Sequence, residues 1–206
     1  ADHHQSSFKK FQEMKAALGS TSVKKKSSFN IAVPESERYL QTSRVSAEAW
    51  RAQRQEIRSA SIEEKVEYLL DRAEIEDIIT TYAYSVDTRE MSLHGELFKE
   101  SFKQYDWVFQ NQDRLKRVDK FLQRFTDTQH MGFPLVIQIN GNTAYATASL
   151  NARHYDKTGN PMNNYLLYGQ YELWLEKTSD GWKISKLNQV NRTQIHTSEA
   201  KFPEGN

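Results

Sequence analysis

His130, His154, Asp87, Tyr82 and Arg192 are the residues of this chain whose types and spacing could carry acid–base chemistry. The two histidines flank an Asn140-Gly141 pair that sits between two β-rich runs, Phe133-Pro-Leu-Val-Ile-Gln-Ile139 and Thr143-Ala-Tyr-Ala-Thr-Ala-Ser-Leu150. Asn-Gly in that setting predicts a hairpin closed by a type I′ turn, which needs φ > 0 at both central residues. His130 lies ten residues before the turn and His154 thirteen after it. A near-symmetric hairpin therefore carries both imidazoles to one end of the sheet. There they could act as acid and base near neutral pH. An imidazole, with a pKa of about 6.5, abstracts an activated proton best when its tautomer is fixed. A carboxylate on Nδ1 supplies that fixing, and a phenol or guanidinium can hold a carbonyl oxygen on which negative charge develops.

The elements that must position these groups are legible from periodicity. Ser61 and Glu64 form a capping box at the start of a long amphipathic run. Val66, Leu69, Leu70, Ala73, Ile75, Ile78, Ile79, Tyr82 and Val86 keep a period near 3.6, so Tyr82 and Asp87 fall near the C-terminal end of this helix. A shorter helix is expected over Met91 to Phe98, a strand over residues 102–109, and a helix from Leu115 to Phe125. From Thr128 onward the chain reads as strand and turn. Strands are expected from about Asn163 to Lys177 and from Trp182 to His196, and Arg192 sits on the last of these. Helices first and a meander afterwards predict an α+β domain: one curved antiparallel sheet with helices across its concave face, a cone with an open mouth suited to a small molecule.

Ahead of this domain, residues 1–60 read as a basic arm. Phe8, Phe11, Met14 and Leu18 have helical spacing, Ser20 to Arg44 is polar with Pro34, and a short helix is expected from Ser46 to Arg58, anchored by Trp50 and Ile57. The arm carries +5 and residues 61–206 carry −4, which together give the net +1. Lys24-Lys25-Lys26 could touch nucleic acid or a membrane surface, but no aromatics interleave with the basic residues, and an arm packed on its own acidic domain is the preferred reading. Burial of Phe8, Phe11, Phe29 and Trp50 is expected at a subunit interface, so the chain is read as a homo-oligomer. With 37% hydrophobic and 27% charged residues the content is that of a soluble domain, and no apolar run approaches the ~20 residues of a membrane span. The absence of cysteine excludes disulfides, thiolate catalysis and cysteine metal sites. Location leans cytoplasmic, with a processed N terminus consistent with the start at Ala1.

Taken singly, each candidate has a plainer reading. Asp87 could be a cap-region or surface residue, Tyr82 a core tyrosine with its hydroxyl at the rim, and Arg192 a solvated strand residue. His94 and His196 read as surface or strand-end residues, and His3 and His4 as part of a floppy terminus.

Together, however, the residues from about Glu64 to His196 resemble the SnoaL-like branch of the NTF2-like superfamily, the α+β cone fold. The resemblance rests on order and spacing. Its parts are Arg72-Ala-Glu-Ile-Glu-Asp-Ile-Ile-Thr-Thr-Tyr82 running to Ser85-Val-Asp87, then Leu97-Phe98, Thr128-Gln-His130, Ala152-Arg-His154, Tyr168-Gly-Gln-Tyr171 and Asp180-Gly-Trp182. Within the superfamily the chain is similar to the scytalone dehydratase, bile-acid 7α-dehydratase and lindane dehydrochlorinase group. That resemblance implies a helix aspartate paired with a strand histidine, positions matched by Asp87 and His130, with Tyr82, His154 and Arg192 completing the catalytic set. Val86 and Trp107 depart from scytalone dehydratase, which has tyrosines at both places.

The implied activity is a cofactor-independent dehydratase-type lyase or proton-transfer isomerase, of the kind found in secondary metabolism. Its substrate would be a carbonyl-bearing apolar metabolite of polyketide, terpenoid or steroid-like type. The resemblance implies a trimer, with a dimer as the alternative assembly. In the expected mechanism His130 takes the proton, Tyr82 or Arg192 stabilises the enolate, and His154 protonates the leaving group. Trp107, Phe133, Tyr168, Tyr84 and Phe109 are expected to bind substrate, with Leu150 and Tyr171 as further wall candidates. No cofactor, metal, nucleic acid or membrane is implied. Two histidines and an aspartate could ligate a metal, but no two of them have the close spacing of a dedicated site. A nucleophilic hydrolase lacks its Gly-x-Ser-x-Gly elbow. The remaining alternatives are a non-catalytic small-molecule-binding protein and a polyketide or terpenoid cyclase using the same pocket, since fold does not imply function.

Overall fold

The computed structural model describes residues 45–195. The expected helix over residues 5–18, the linker and His196 lie outside them. Among the described residues four α-helices, α1 (Ala47–Ser59), α2 (Ile62–Asp87), α3 (Met91–Glu96) and α4 (Asn111–Leu122), accompany six strands. The strands are β1 (Phe98–Gln104), β2 (Trp107–Gln110), β3 (Phe125–Asn140), β4 (Thr143–Asp156), β5 (Tyr165–Thr178) and β6 (Gly181–Ile195). They form one sheet in the order β2-β1-β6-β5-β4-β3. All neighbours are antiparallel except β1 and β6, which run parallel. The result is the expected α+β cone, with one parallel pairing that the meander pattern did not show.

The long helix starts at the Ser61/Glu64 capping box, where the Ser61 amide donates to Glu64 Oε2 at 2.8 Å and the Glu64 amide to Ser61 Oγ at 3.2 Å. Its buried stripe is Asp71, Ile75, Ile78, Ile79, Tyr82, Ser85 and Val86. Val66 and Leu69, expected in the stripe, are exposed. Asp71 instead opens the buried face. It accepts from Trp182 Nε1 at 3.0 Å and pairs with Lys177 Nζ at 2.7 Å, while Glu74 accepts the Trp182 amide at 2.8 Å. These bonds tie the helix to the β5–β6 end and fix where its C-terminal end falls.

That end lies against β3. The inner face of β4 beside it is built from Ala144, Ala146, Ala148, Leu150 and Ala152, all buried. The helix comes near β3 at Gly132, where an added Cβ would stand 3.9 Å from the Ile79 carbonyl oxygen, in ordinary contact. Pro134 interrupts β3 without cost to the ladder because β3 is an edge strand, and the register shifts between Pro134 and Val136. Close contact between Gly169 and β6, where a Cβ would meet the Val190 carbonyl oxygen at 2.1 Å, accompanies a second irregularity at Tyr168/Gly169.

Local expectations needed correction at four places. Asn140 and Thr143 close the central hairpin, so Gly141 and Asn142 are its central residues; only Gly141 has positive φ (55°), which is the type II′ pattern rather than I′. Residues 102–109 are not one strand but the end of β1, a turn at Tyr105-Asp106 and the start of β2, with Tyr105 at φ 55° in the turn. The fourth helix begins and ends earlier than the Leu115–Phe125 pattern implied, and Phe125 already belongs to β3. In α1 the buried residue is Gln53, whereas Trp50 is half exposed beneath the Arg54 guanidinium.

Candidate active site

Asp87 is the last residue of α2, where the helix dipole disfavours a carboxylate. Three hydrogen bonds from β3 offset that placement. Thr128 Oγ1 donates to Oδ1 at 2.9 Å, His130 Nδ1 to Oδ1 at 2.6 Å, and the His130 amide to Oδ2 at 2.7 Å. Thr128 and His130 are two apart on one strand, so both face the helix end. A carboxylate can only accept, so in the neutral ring the proton sits on Nδ1 and Nε2 keeps its lone pair. The His130 side chain is 8% exposed and lines a pocket against the inner face of the sheet.

The walls of that pocket are mostly apolar: Ile79 and Ala83 from α2, Gly132, Ala148, Leu150 and Leu173 from the sheet. His130, Tyr82 and Tyr171 complete the lining and present almost only apolar atoms to the space. The free space among these side chains is far smaller than that of a preformed small-molecule site. Between the side chains there is room for about one water molecule, so a substrate would sit partly in the mouth.

His154 packs edge-on against His130, with ring centroids 5.1 Å apart at 87°. Register explains the meeting: His130 pairs with Ala152, and His154 is the next residue on that face. His154 is buried among Phe121, Phe125 and Tyr165, and its Nδ1 donates to the Tyr165 carbonyl at 3.4 Å. Burial, followed by the proximity of His130, lowers its pKa to about 4. A neutral imidazole that already donates to a carbonyl is poorly suited to protonate a leaving group, and His154 does not line the pocket.

Other anticipated residues stand elsewhere. Arg192 is exposed at the β6 irregularity and reaches Gln170 Oε1 at 3.5 Å; Gln170 and the pocket-lining Tyr171 are adjacent on β5 and so face opposite ways. Trp107 (71% exposed), Phe133 (62%) and Tyr84 (59%) face away from the pocket. Strand alternation turns Phe133 away from Gly132 and Tyr168 away from Tyr171, and Tyr84 lies across the helix from Tyr82. Phe109 stacks on Phe102 at 6.1 Å beside Arg117, outside the lining. Leu150 and Tyr171 do line it.

Sequence reasoning missed a second polar cluster behind Tyr82. His94 is fully buried rather than at the surface. Its Nδ1 meets Ser85 Oγ at 2.8 Å and its Nε2 meets Arg114 Nη1 at 2.6 Å. Arg114 can only donate, so Nε2 accepts, the ring proton is on Nδ1, and Ser85 in turn donates to the Tyr82 carbonyl at 3.1 Å. Burial, then the adjacent guanidinium, lowers the His94 pKa to about 2. The other Arg114 nitrogen, Nη2, donates to the Tyr82 hydroxyl at 3.2 Å. A signal existed: Arg114 falls four and seven residues before Val118 and Phe121, on the apolar stripe of α4.

A curved α+β cone whose helix end delivers a carboxylate to a strand histidine beside an apolar pocket defines an NTF2-like fold. The SnoaL-like domain model matches residues 67–188, more than half of the sequence, and the chain belongs to that family. No curated protein matches the sequence. Among solved structures it is similar to the Kfla4162 protein of Kribbella flavida, with TM-score 0.59 and 22% identity over 62% of this chain and 94% of that one. A proposed scytalone dehydratase from Novosphingobium aromaticivorans gives 0.57 and 20% over 68% and 96%. The hexachlorocyclohexane dehydrochlorinase LinA-type3 from Novosphingobium barchaimii gives 0.55 and 18% over 68% and 99%. Among the described residues no helix is long and apolar enough to cross a membrane, and no group of three His, Asp or Glu is placed to hold a metal.

Proposed function

We propose that this protein is a cofactor-free lyase or isomerase that works by proton transfer, with dehydration of a compact carbonyl-bearing apolar molecule as the leading reaction. The observation that carries the proposal is the 2.6 Å contact between His130 Nδ1 and Asp87 Oδ1 at the wall of an apolar pocket. It leaves Nε2 as a base, and Asp87 stabilises the imidazolium that forms when this base accepts a proton. Similarity to a proposed scytalone dehydratase and to a dehydrochlorinase supports the class of reaction.

In the proposed sequence Nε2 takes a proton from the carbon next to the carbonyl. The electron pair of the broken C–H bond moves toward the carbonyl oxygen, which is held by the Tyr82 hydroxyl. When the enolate collapses, the bond to a β-hydroxyl breaks, and the His130 imidazolium returns its proton to the departing oxygen as water leaves. His154 does not act as the acid in this scheme; as a neutral ring it holds the edge of His130. Returning the proton to a different carbon gives isomerisation instead.

Deuterium wash-in tests the first step without knowledge of the product. The protein is incubated in D₂O with small apolar ketones and β-hydroxyketones, and label next to the carbonyl is read by mass spectrometry. The wild type is expected to catalyse exchange, and His130→Ala to lower its rate roughly 10²–10⁴-fold. Equal exchange by both proteins, or none by either across the set, would support a binding-only pocket.

A further inference from the structure

Arg114 is 5% exposed, and among the described residues its charge meets no carboxylate. A buried cation without an ionic partner is costly, and such charges are ordinarily paired. Burial works against the charge, yet a guanidinium stays protonated because its intrinsic pKa is above 12. What it has instead of an anion is aromatic faces and two directed hydrogen bonds. The guanidinium carbon lies 4.0 Å from the Phe98 ring centroid and 5.6 Å from that of Phe102. The bonds run to His94 Nε2 at 2.6 Å and to the Tyr82 hydroxyl at 3.2 Å.

The His94 bond fixes the fork. His94 is itself held by Ser85, which bonds the backbone of the helix that carries Tyr82. The second arm of Arg114 is therefore aimed at one phenol oxygen, and that phenol lines the pocket together with His130 and Tyr171. Tyr171 is buried beside Tyr82, with ring centroids 5.0 Å apart, and burial keeps it protonated. Tyr82 thus accepts a hydrogen bond at its oxygen from Arg114 and keeps its own proton to donate.

Resting on the proton-transfer reading above, we propose that Arg114 is a positioning residue: its unneutralised guanidinium polarises the Tyr82 phenol, making Tyr82 the donor for the oxyanion of a carbonyl substrate. The positive charge the site keeps behind Tyr82 is then matched by the negative charge that appears on the substrate oxygen during reaction, in a low-dielectric setting where such pairing is strong. The substrate class is narrowed accordingly to molecules whose carbonyl oxygen reaches Tyr82 while the adjacent C–H reaches His130 Nε2.

The test uses the full chain labelled with ¹³C at the tyrosine ζ carbon, with the Tyr82 signal assigned by its loss in Tyr82→Phe. In the wild type the Tyr82 signal is expected downfield of that of Tyr145, a buried tyrosine whose hydroxyl donates to Glu172. Arg114→Lys, which keeps the charge, is expected to retain most of the displacement; Arg114→Gln, which keeps donors without charge, is expected to lose it. A Tyr82 signal at the position of an ordinary neutral phenol in the wild type overturns the proposal, whatever the variants do. So does an unchanged signal in a folded Arg114→Gln. The wash-in rate is read on the same proteins. A displaced Tyr82 signal with no exchange in the wild type sinks the proton-transfer reading and leaves the polarisation standing, whereas exchange with an undisplaced signal does the reverse.

Discussion

Two histidines stand on either side of Tyr82, and both have a ring nitrogen engaged at less than 3 Å. His130 gives Nδ1 to Asp87 and keeps Nε2 free of protein partners among the described residues, at a pocket wall. His94 has both nitrogens engaged, with Ser85 at 2.8 Å and Arg114 at 2.6 Å, and it is sealed from solvent. The partner decides the use of the ring. A carboxylate favours the imidazolium that forms during proton abstraction, while a guanidinium opposes it and holds the ring neutral. The same side chain is therefore proposed as a base in one place and is a fixed neutral link in the other.

Exchanging the environments is the strongest way to break this comparison. Removing the base by His130→Ala is expected to lower wash-in roughly 10²–10⁴-fold while leaving the urea midpoint near that of the wild type. A loss of stability with the exchange rate per folded molecule intact would place His130 in the structural role instead.

The next effect is on stability and runs through pH. His154 has its folded pKa lowered to about 4 by burial and by His130, so below pH 6.5 the unfolded chain takes up a proton that the folded chain refuses. Stability present above pH 6.5 is therefore lost as the pH falls, and this contribution levels off below about 4. At ~1.4 kcal/mol per pH unit the His154 share is roughly 3 kcal/mol, and His94, lowered to about 2, adds a similar loss over the same range and continues it to more acid conditions. Urea unfolding at pH 7, 5 and 4 should show the decline, and His154→Gln should cut its slope by about half.

His94→Leu strips partners from Arg114 and Ser85 without touching His130. It is expected to cost about 1–3 kcal/mol of stability, the penalty of leaving buried donors unmet, and to lower wash-in far less than His130→Ala does. Smallest of all, Trp107→Ala and Tyr84→Ala alter exposed side chains that face away from the pocket. Wash-in should stay within about twofold of the wild type, as for surface changes away from structural features.

Much of this arrangement was legible because it follows the order of the chain. The capping box and the stripe from Ile75 to Val86 place Asp87 at the helix end, the hairpin about Gly141 brings His130 and His154 to one end of the sheet, and the family resemblance supplies the pairing of Asp87 with His130. What failed was anything that depended on which strand face a residue takes. Phe133 and Tyr168 looked like pocket walls by composition, yet alternation from Gly132 and Tyr171 turns both away, and the irregularity at Tyr168/Gly169 shifts Arg192 out of step with the strand. Tyr105 hid a turn because an aromatic residue at positive φ is no turn signal. His94 escaped because it was read as a surface residue, and Arg114 because it fell just before the expected start of its helix at Leu115, although both sit at the spacing of an apolar face.

The central claim is that Asp87 holds the proton of neutral His130 on Nδ1 and so makes Nε2 the base. Long-range ¹H–¹⁵N correlation spectra of the imidazole, recorded at neutral pH on the wild type and on Asp87→Asn, read this directly. The account predicts a single Nδ1–H tautomer with a strongly deshielded Nδ1 proton in the wild type, and loss of that deshielding in Asp87→Asn. An Nε2–H tautomer in the wild type, or spectra unchanged by the substitution, would contradict it.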